Sequence, residues 1–177
     1  MRARLIVSAR RLFAEKGFGE TSTPEIVRDA KVTRGALYHH FEDKTDLFRA
    51  VVLAEASALE AEISQAGSSA KTNEEALHAG TEAFFEAMRT PGRTRLLLLE
   101  GPAVLGVQEM DAIDAGNGRA SLLAGLRGVL PNAAPQTLDA LSKVLSAAFD
   151  RAALAISDGE DSSVYTQALM ALVRGLA

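Results

Sequence analysis

Three residues, Lys31 to Thr33, separate two short segments that carry helix signals, "TPEIVRDA" and "RGALYHH". Ser22 and Glu25 are spaced as a capping box, with Pro24 tolerated in the first turn. Thr23 as the cap, with Pro24 at the first helical position, is an equally sound register, so the first helix starts near residue 23 and ends near Ala30. Thr33 is suited to cap the second, Arg34 to His40, by accepting a hydrogen bond from an otherwise unpaired backbone N–H. So short a link leaves few arrangements open to the chain. Two helices joined by a three- to four-residue turn, behind a longer helix, are the elements of a helix-turn-helix.

The longer helix is Arg2 to Lys16, where Leu5, Ala9, Leu12 and Phe13 recur at helical spacing and Gly17 marks the end. Past the pair, Asp43 caps a helix that runs to about residue 65, with Asp46 near its positive end. Thr72 or Asn73 caps another over 74–89, carrying Leu77, Phe84, Phe85 and Met88. "RTRLLLLEG" is apolar on every side and reads as a buried helix. Residues 101–118 hold four glycines with mixed periodicity and no clear element. Helical patterns resume over 121–130, 135–157 and 161–176. No alternating strand pattern appears. The expected fold is all-α, with an N-terminal three-helix helix-turn-helix head over residues 1–46. A larger helical ligand-binding and dimerisation domain takes up 47–177.

Charge follows the same division. The net charge is −4, yet residues 1–52 hold ten Lys/Arg against seven Asp/Glu, and residues 53–177 hold nine against sixteen. A basic head on an acidic body suits a protein in which only the head meets polyanions. With no Cys, disulfides and thiolate chemistry are excluded. The N-terminus lacks the apolar run of a signal peptide, and no segment has the roughly 18 apolar residues of a membrane span. The expected location is the cytoplasm, with no membrane contact.

The second short helix carries the chemistry. Gly35 and Ala36 let its N-terminal end approach a surface closely, and Thr33, Arg34, Tyr38, His39 and Lys44 supply donors around that spot. Positive charge and free N–H groups there suit phosphates, and Ala36 suits a thymine methyl. His39 and His40 make a poor metal site, because adjacent helical residues point about 100° apart. Catalysis has no foothold either: there is no Glu-x-x-His pair and no clustered acid/base set. No cofactor is expected.

The run "LFAEKGFGETSTPEIVRDAKVTRGALYHHFEDKTDLFRAV" resembles the N-terminal domain of TetR/AcrR-type transcriptional regulators. It shares L-F-x-x-x-G-F, T-S/T-x-x-x-I, and V-T/S-x-G-x-L-Y-x-H-F followed by K-x-x-L, over about residues 5 to 52. The resemblance implies a ligand-responsive regulator, most simply a repressor. Its two recognition helices would enter successive major grooves of a palindromic double-stranded operator as a homodimer, and a small molecule would release it. By position, Thr33, Arg34, Gly35, Ala36, Tyr38 and His39 face DNA. Tyr38 and Lys44 hold phosphates, and Ser22 or Thr23 holds one at the start of helix two. Phe13, Ile26, Ala30, Val32, Leu37 and Phe41 form the head's core. The family usually has Gly at the first turn position, where this chain has Lys31. A left-handed non-glycine residue there costs on the order of 1 kcal/mol.

For the body, Phe84, Phe85, Met88, Leu97, Leu98, Val104 and Leu105 are the candidates to line a cavity for an apolar effector. Leu141, Val144, Leu145, Ala148, Ala152 and Ala155, with Leu169, Leu172 and Val173, form a stripe on the last two helices. In the family these helices pair with their copies as a four-helix bundle. The alternative is a helical small-molecule carrier with a DNA-silent head, for which salt-dependent DNA binding is the discriminating observation.

Overall fold

The computed structural model describes residues 1–176 and is helical throughout. The helices are α1 (Arg2–Lys16), α2 (Thr23–Asp29), α3 (Arg34–His40), α4 (Lys44–Gly67), α5 (Asn73–Met88), α6 (Gly101–Leu105), α7 (Val107–Ala115), α8 (Gly118–Val129), α9 (Pro135–Ser157) and α10 (Ser162–Arg174). The segment expected to be a buried helix is a π-helix, Arg95–Glu100. Two compact units result. One comprises Met1–Ala56 with Pro91–Asp111, the other Ser57–Thr90 with Ala112–Ala177.

The first unit is built on α1 to α3 and the start of α4. Leu5, Leu12, Phe13, Ile26, Leu37, Phe41, Leu47 and Phe48 are all buried, and Phe13, Phe18 and Phe48 interlock with ring centroids 5.1–5.7 Å apart. Val32 is only half-buried. Residues 91–111 are fastened to this core by charge. Glu55 accepts from Arg10 (3.0 Å) on α1 and from Arg93 (3.2 Å), and both Glu55 and Arg93 are buried. Burial alone would raise the Glu55 carboxyl, but hydrogen bonds and charge from Arg10 and Arg93 outweigh it and hold the group below its ordinary range. Glu100 accepts from the backbone N–H of Phe18 (2.9 Å) and from Arg95 (3.0 Å), and Arg49 pairs with Glu109.

The π-helix has a local cause. Pro102 has no N–H to donate to Leu98 four residues back, while the Gly101 N–H bonds the carbonyl of Leu96, five residues back. A Cβ at residue 101 would lie 2.9 Å from that carbonyl oxygen, so the widened turn depends on glycine. Gly106, at φ 88, then ends α6. This punctuation explains why residues 101–118 show no single periodicity.

In the second unit, Leu77, Phe85, Leu126, Leu130, Leu138, Leu145, Ile156, Leu169 and Met170 make the core. The register of its helices can be read from close approaches. Gly67 lies against Ala76 and Gly80 against Ile63, which runs α4 and α5 antiparallel. Gly125 faces Leu77 (3.0 Å from the Cβ position to Leu77 Cδ1), and the Asn73 side chain donates to the Gly128 carbonyl (2.9 Å), which sets α8 antiparallel to α5.

Candidate nucleic-acid interface

The turn between α2 and α3 is a Schellman closure. The N–H of Lys31 bonds the carbonyl of Arg28 (3.2 Å) and that of Val32 bonds Val27 (3.1 Å). Such a closure requires a left-handed residue, and Lys31, at φ 52, is the one non-glycine residue with positive φ among those described. Arg4 of α1 braces the turn, donating to the carbonyls of Ala30 (2.6 Å) and Lys31 (3.3 Å). Arg11 also reaches α2, pairing with Asp29 (2.5 Å).

From this turn α3 starts as expected, with Thr33 Oγ1 accepting from the Ala36 N–H (3.2 Å). Leu37 is buried against the core, so the helix is anchored on one side. Thr33, Arg34, Gly35, Tyr38 and His39 lie on the exposed side, and Ala36 is half-buried. Nothing lies within 4 Å of a Cβ position at Gly35, so its neighbourhood is open. His40 is half-buried, 6.5 Å from the Phe41 ring centroid, and no cluster of metal-ligating side chains occurs among the described residues.

Tyr38 joins the two short helices at the surface. The neighbouring Thr23 hydroxyl, then the Arg34 guanidinium, hold its hydroxyl below the ordinary tyrosine pKa, and that guanidinium lies 5.5 Å from its ring centroid. Thr23 at the start of α2, Tyr38 and Arg34 therefore form one donor-rich patch. Ser22 is exposed beside it as the N-cap residue of α2, without a side-chain cap bond. Asp43 caps α4 through the Asp46 N–H (2.7 Å), again as the spacing implies.

Lys44 has a further task. Its ammonium donates to the carbonyls of Phe18 (2.8 Å) and Thr21 (3.1 Å) and stands 4.1 Å from the Phe18 ring centroid. It thereby ties the α1–α2 loop to the start of α4, with one of its three N–H groups left over. Neither this role nor the Arg4 brace has a sequence signature, because the acceptors are backbone carbonyls.

The body candidates fall in both units. Phe84, Phe85 and Met88 belong to the second, where Phe84 and Phe85 cluster with Phe149 at 5.2 and 5.8 Å. Leu97, Leu98, Val104 and Leu105 belong to the first, and Leu97 is buried there. Of the stripe on the last two helices, Leu145, Ala152, Ala155, Leu169 and Val173 are buried within the chain's own second unit. Val144 (66% exposed) and Leu172 (58% exposed) point outward, and Leu141 and Ala148 are half-buried.

An outward short helix behind a braced turn, with donors at its start, defines a helix-turn-helix DNA-binding protein. Comparison with known proteins gives the family. The profile described as "Bacterial regulatory proteins, tetR family" matches residues 5–51, and "Tetracyclin repressor-like, C-terminal domain" matches residues 74–177. The chain belongs to the TetR family of bacterial transcriptional regulators. It is similar to the HTH-type transcriptional repressor BepR of Brucella suis biovar 1 (strain 1330), 41% identical over 51 residues, 29% of this chain and 24% of that protein. The HTH-type transcriptional regulator AcrR of Shigella flexneri is 51% identical over 47 residues, 27% of this chain and 22% of that protein. The matched stretches thus span about a quarter of these relatives' length. A TetR-family transcriptional regulator from Pectobacterium atrosepticum has a similar crystal structure (TM-score 0.72, 28% identity, 99% of this chain and 91% of that one). No helix among the described residues is long and apolar enough to cross a membrane.

Proposed function

We propose that this chain is a cytoplasmic, ligand-responsive repressor that binds a palindromic operator as a homodimer and leaves it when a small molecule occupies the body. The observation that carries this reading is the patch made by Thr23, Arg34 and Tyr38 beside the open Gly35–Ala36 edge of α3. Arg34, Gly35, Ala36 and His39 meet base edges, while Thr23 and Tyr38 take phosphates. Lys44 presents its remaining N–H to a phosphate while holding the α1–α2 loop. Exposed Val144 and Leu172, flanked by Leu141 and Ala148, supply the surface that meets a second copy. The coupling is linkage: an effector preferring the non-binding arrangement lowers operator affinity by its differential affinity for the two states.

The test is fluorescence anisotropy against DNA from upstream of the protein's own gene and against a random-sequence library, with a scrambled competitor at moderate salt. Competitor-resistant binding at paired half-sites, abolished in Ala36→Asp with no loss of thermal stability, is the expected result. Binding to no sequence better than to the competitor would instead favour a carrier.

A further inference from the structure

The second unit carries a carboxylate with an unanswered oxygen. Glu60 Oε1 is used fully, accepting from Ser64 Oγ (2.7 Å) on its own helix and from Ser121 on α8. Oε2 is buried and has no hydrogen-bond partner among the described residues. A buried carboxylate oxygen left bare is costly, and native structures rarely keep one without a use.

The antiparallel registers locate it. Gly67 faces Ala76 and Ile63 faces Gly80, so the next turn of α4 brings Glu60 level with residues 83 and 84 of α5. Gly128 faces Asn73 and Gly125 faces Leu77, so Ser121 stands level with Thr81. Glu60 therefore lies at the height of Phe84, which is half-buried and joins Phe85 and Phe149 in the three-ring cluster. Beside Phe149 in sequence, Asp150 is a second half-buried carboxylate without a hydrogen-bond donor among the described residues. One carboxylate with a bare oxygen and a second without a donor, at the level of three aromatic rings, call for one kind of complement: a positive N–H donor on an apolar frame.

We infer that the effector is a protonated amine with an aromatic or otherwise apolar body, its ammonium donating to Glu60 Oε2 and its apolar part resting on Phe84 and Phe149. This rests on the reading of the body as the effector domain and narrows the chemistry of what enters it. Asp150 offers a second acceptor at the same level.

The experiment is calorimetric titration of the full chain, without DNA, at pH 7, using 2-naphthylethylamine and its neutral isostere 2-naphthylethanol. The amine should bind at least about 10-fold more tightly than the alcohol, and Glu60→Gln should erase that preference. Equal binding of the two probes, or no amine binding, overturns the proposal. So does an amine preference undiminished in both Glu60→Gln and Asp150→Asn. The comparison of probes on the unmodified protein decides the matter even if the Gln variant does not fold. Because no DNA is present, failure here leaves operator binding untouched, and loss of operator binding leaves this result standing.

Discussion

Replacing Lys31 with glycine should make the chain more stable, and the structure sets the size of the gain. Lys31 is held at φ 52 by the Schellman bonds on either side of it and by the Arg4 brace on its carbonyl. An L-residue in that conformation is disfavoured by about 1–2 kcal/mol, a cost glycine does not bear. Glycine's freedom in the unfolded chain takes back about 0.4–1 kcal/mol. Since the Lys31 side chain is exposed, no packing is lost with it. The net gain is about 0.5–1 kcal/mol, which for a chain of this length raises Tm by roughly 1–4 °C. Urea denaturation followed by far-UV circular dichroism, with the m-value checked for constancy, measures it. Lys31→Ala is the control: it removes the charge but keeps Cβ, and should leave the midpoint where it was. A glycine variant no more stable than the alanine variant would refute the claim that this turn stores left-handed strain.

Four other outcomes follow from the same structure. Glu55→Ala removes the carboxylate shared by Arg10 and the buried Arg93 and should destabilise the first unit by about 1.5–3 kcal/mol in chemical denaturation. The Glu55 carboxyl is held low in the folded state, so its contribution is present above its ordinary pKa and should fade in acid melts as pH falls through the lowered value. Asp150 behaves oppositely: burial first, then the charge of Asp114, pushes its carboxyl up to about 7. The folded state thus holds that proton where the unfolded chain has released it, and stability drops between about pH 4 and pH 7. Asp150→Asn should therefore stabilise by about 1–2 kcal/mol at pH 8, after allowance for solvent screening, and by little at pH 4, read as paired melts. Val144→Glu combined with Leu172→Glu should yield a folded monomer in analytical ultracentrifugation, with little change in melting temperature at matched monomer concentration.

The head was readable because its signals are local. Thr33 and Asp43 cap the helices the spacing assigns to them, Gly17 closes α1, and the three residues between α2 and α3 leave the backbone little choice. Even the irregular Lys31 was visible by its position. What escaped was long-range or depended on backbone acceptors. Glu55 meets Arg10 and Arg93 across 45 and 38 residues, and no periodicity encodes such a meeting. Arg4 and Lys44 look like surface cations in sequence, yet they hold carbonyl groups. The π-helix was read as an ordinary buried helix because four consecutive leucines hide the extra residue in its turn; only Gly101-Pro102 signals it. The stripe on α9 and α10 mixed two destinations, since residues turned to the chain's own core and residues turned outward are equally apolar.

Because residues 91–111 complete the unit that begins at Met1, the DNA-reading part of this chain cannot be lifted out as one contiguous cassette. A chimera joined at residue 46 would set a foreign α1 and the loop after it against Glu55, Arg95 and Glu100, which in this protein answer to Arg10, Lys16 and Phe18. A successful exchange of heads must carry two separate stretches of sequence, and natural recombination faces the same constraint.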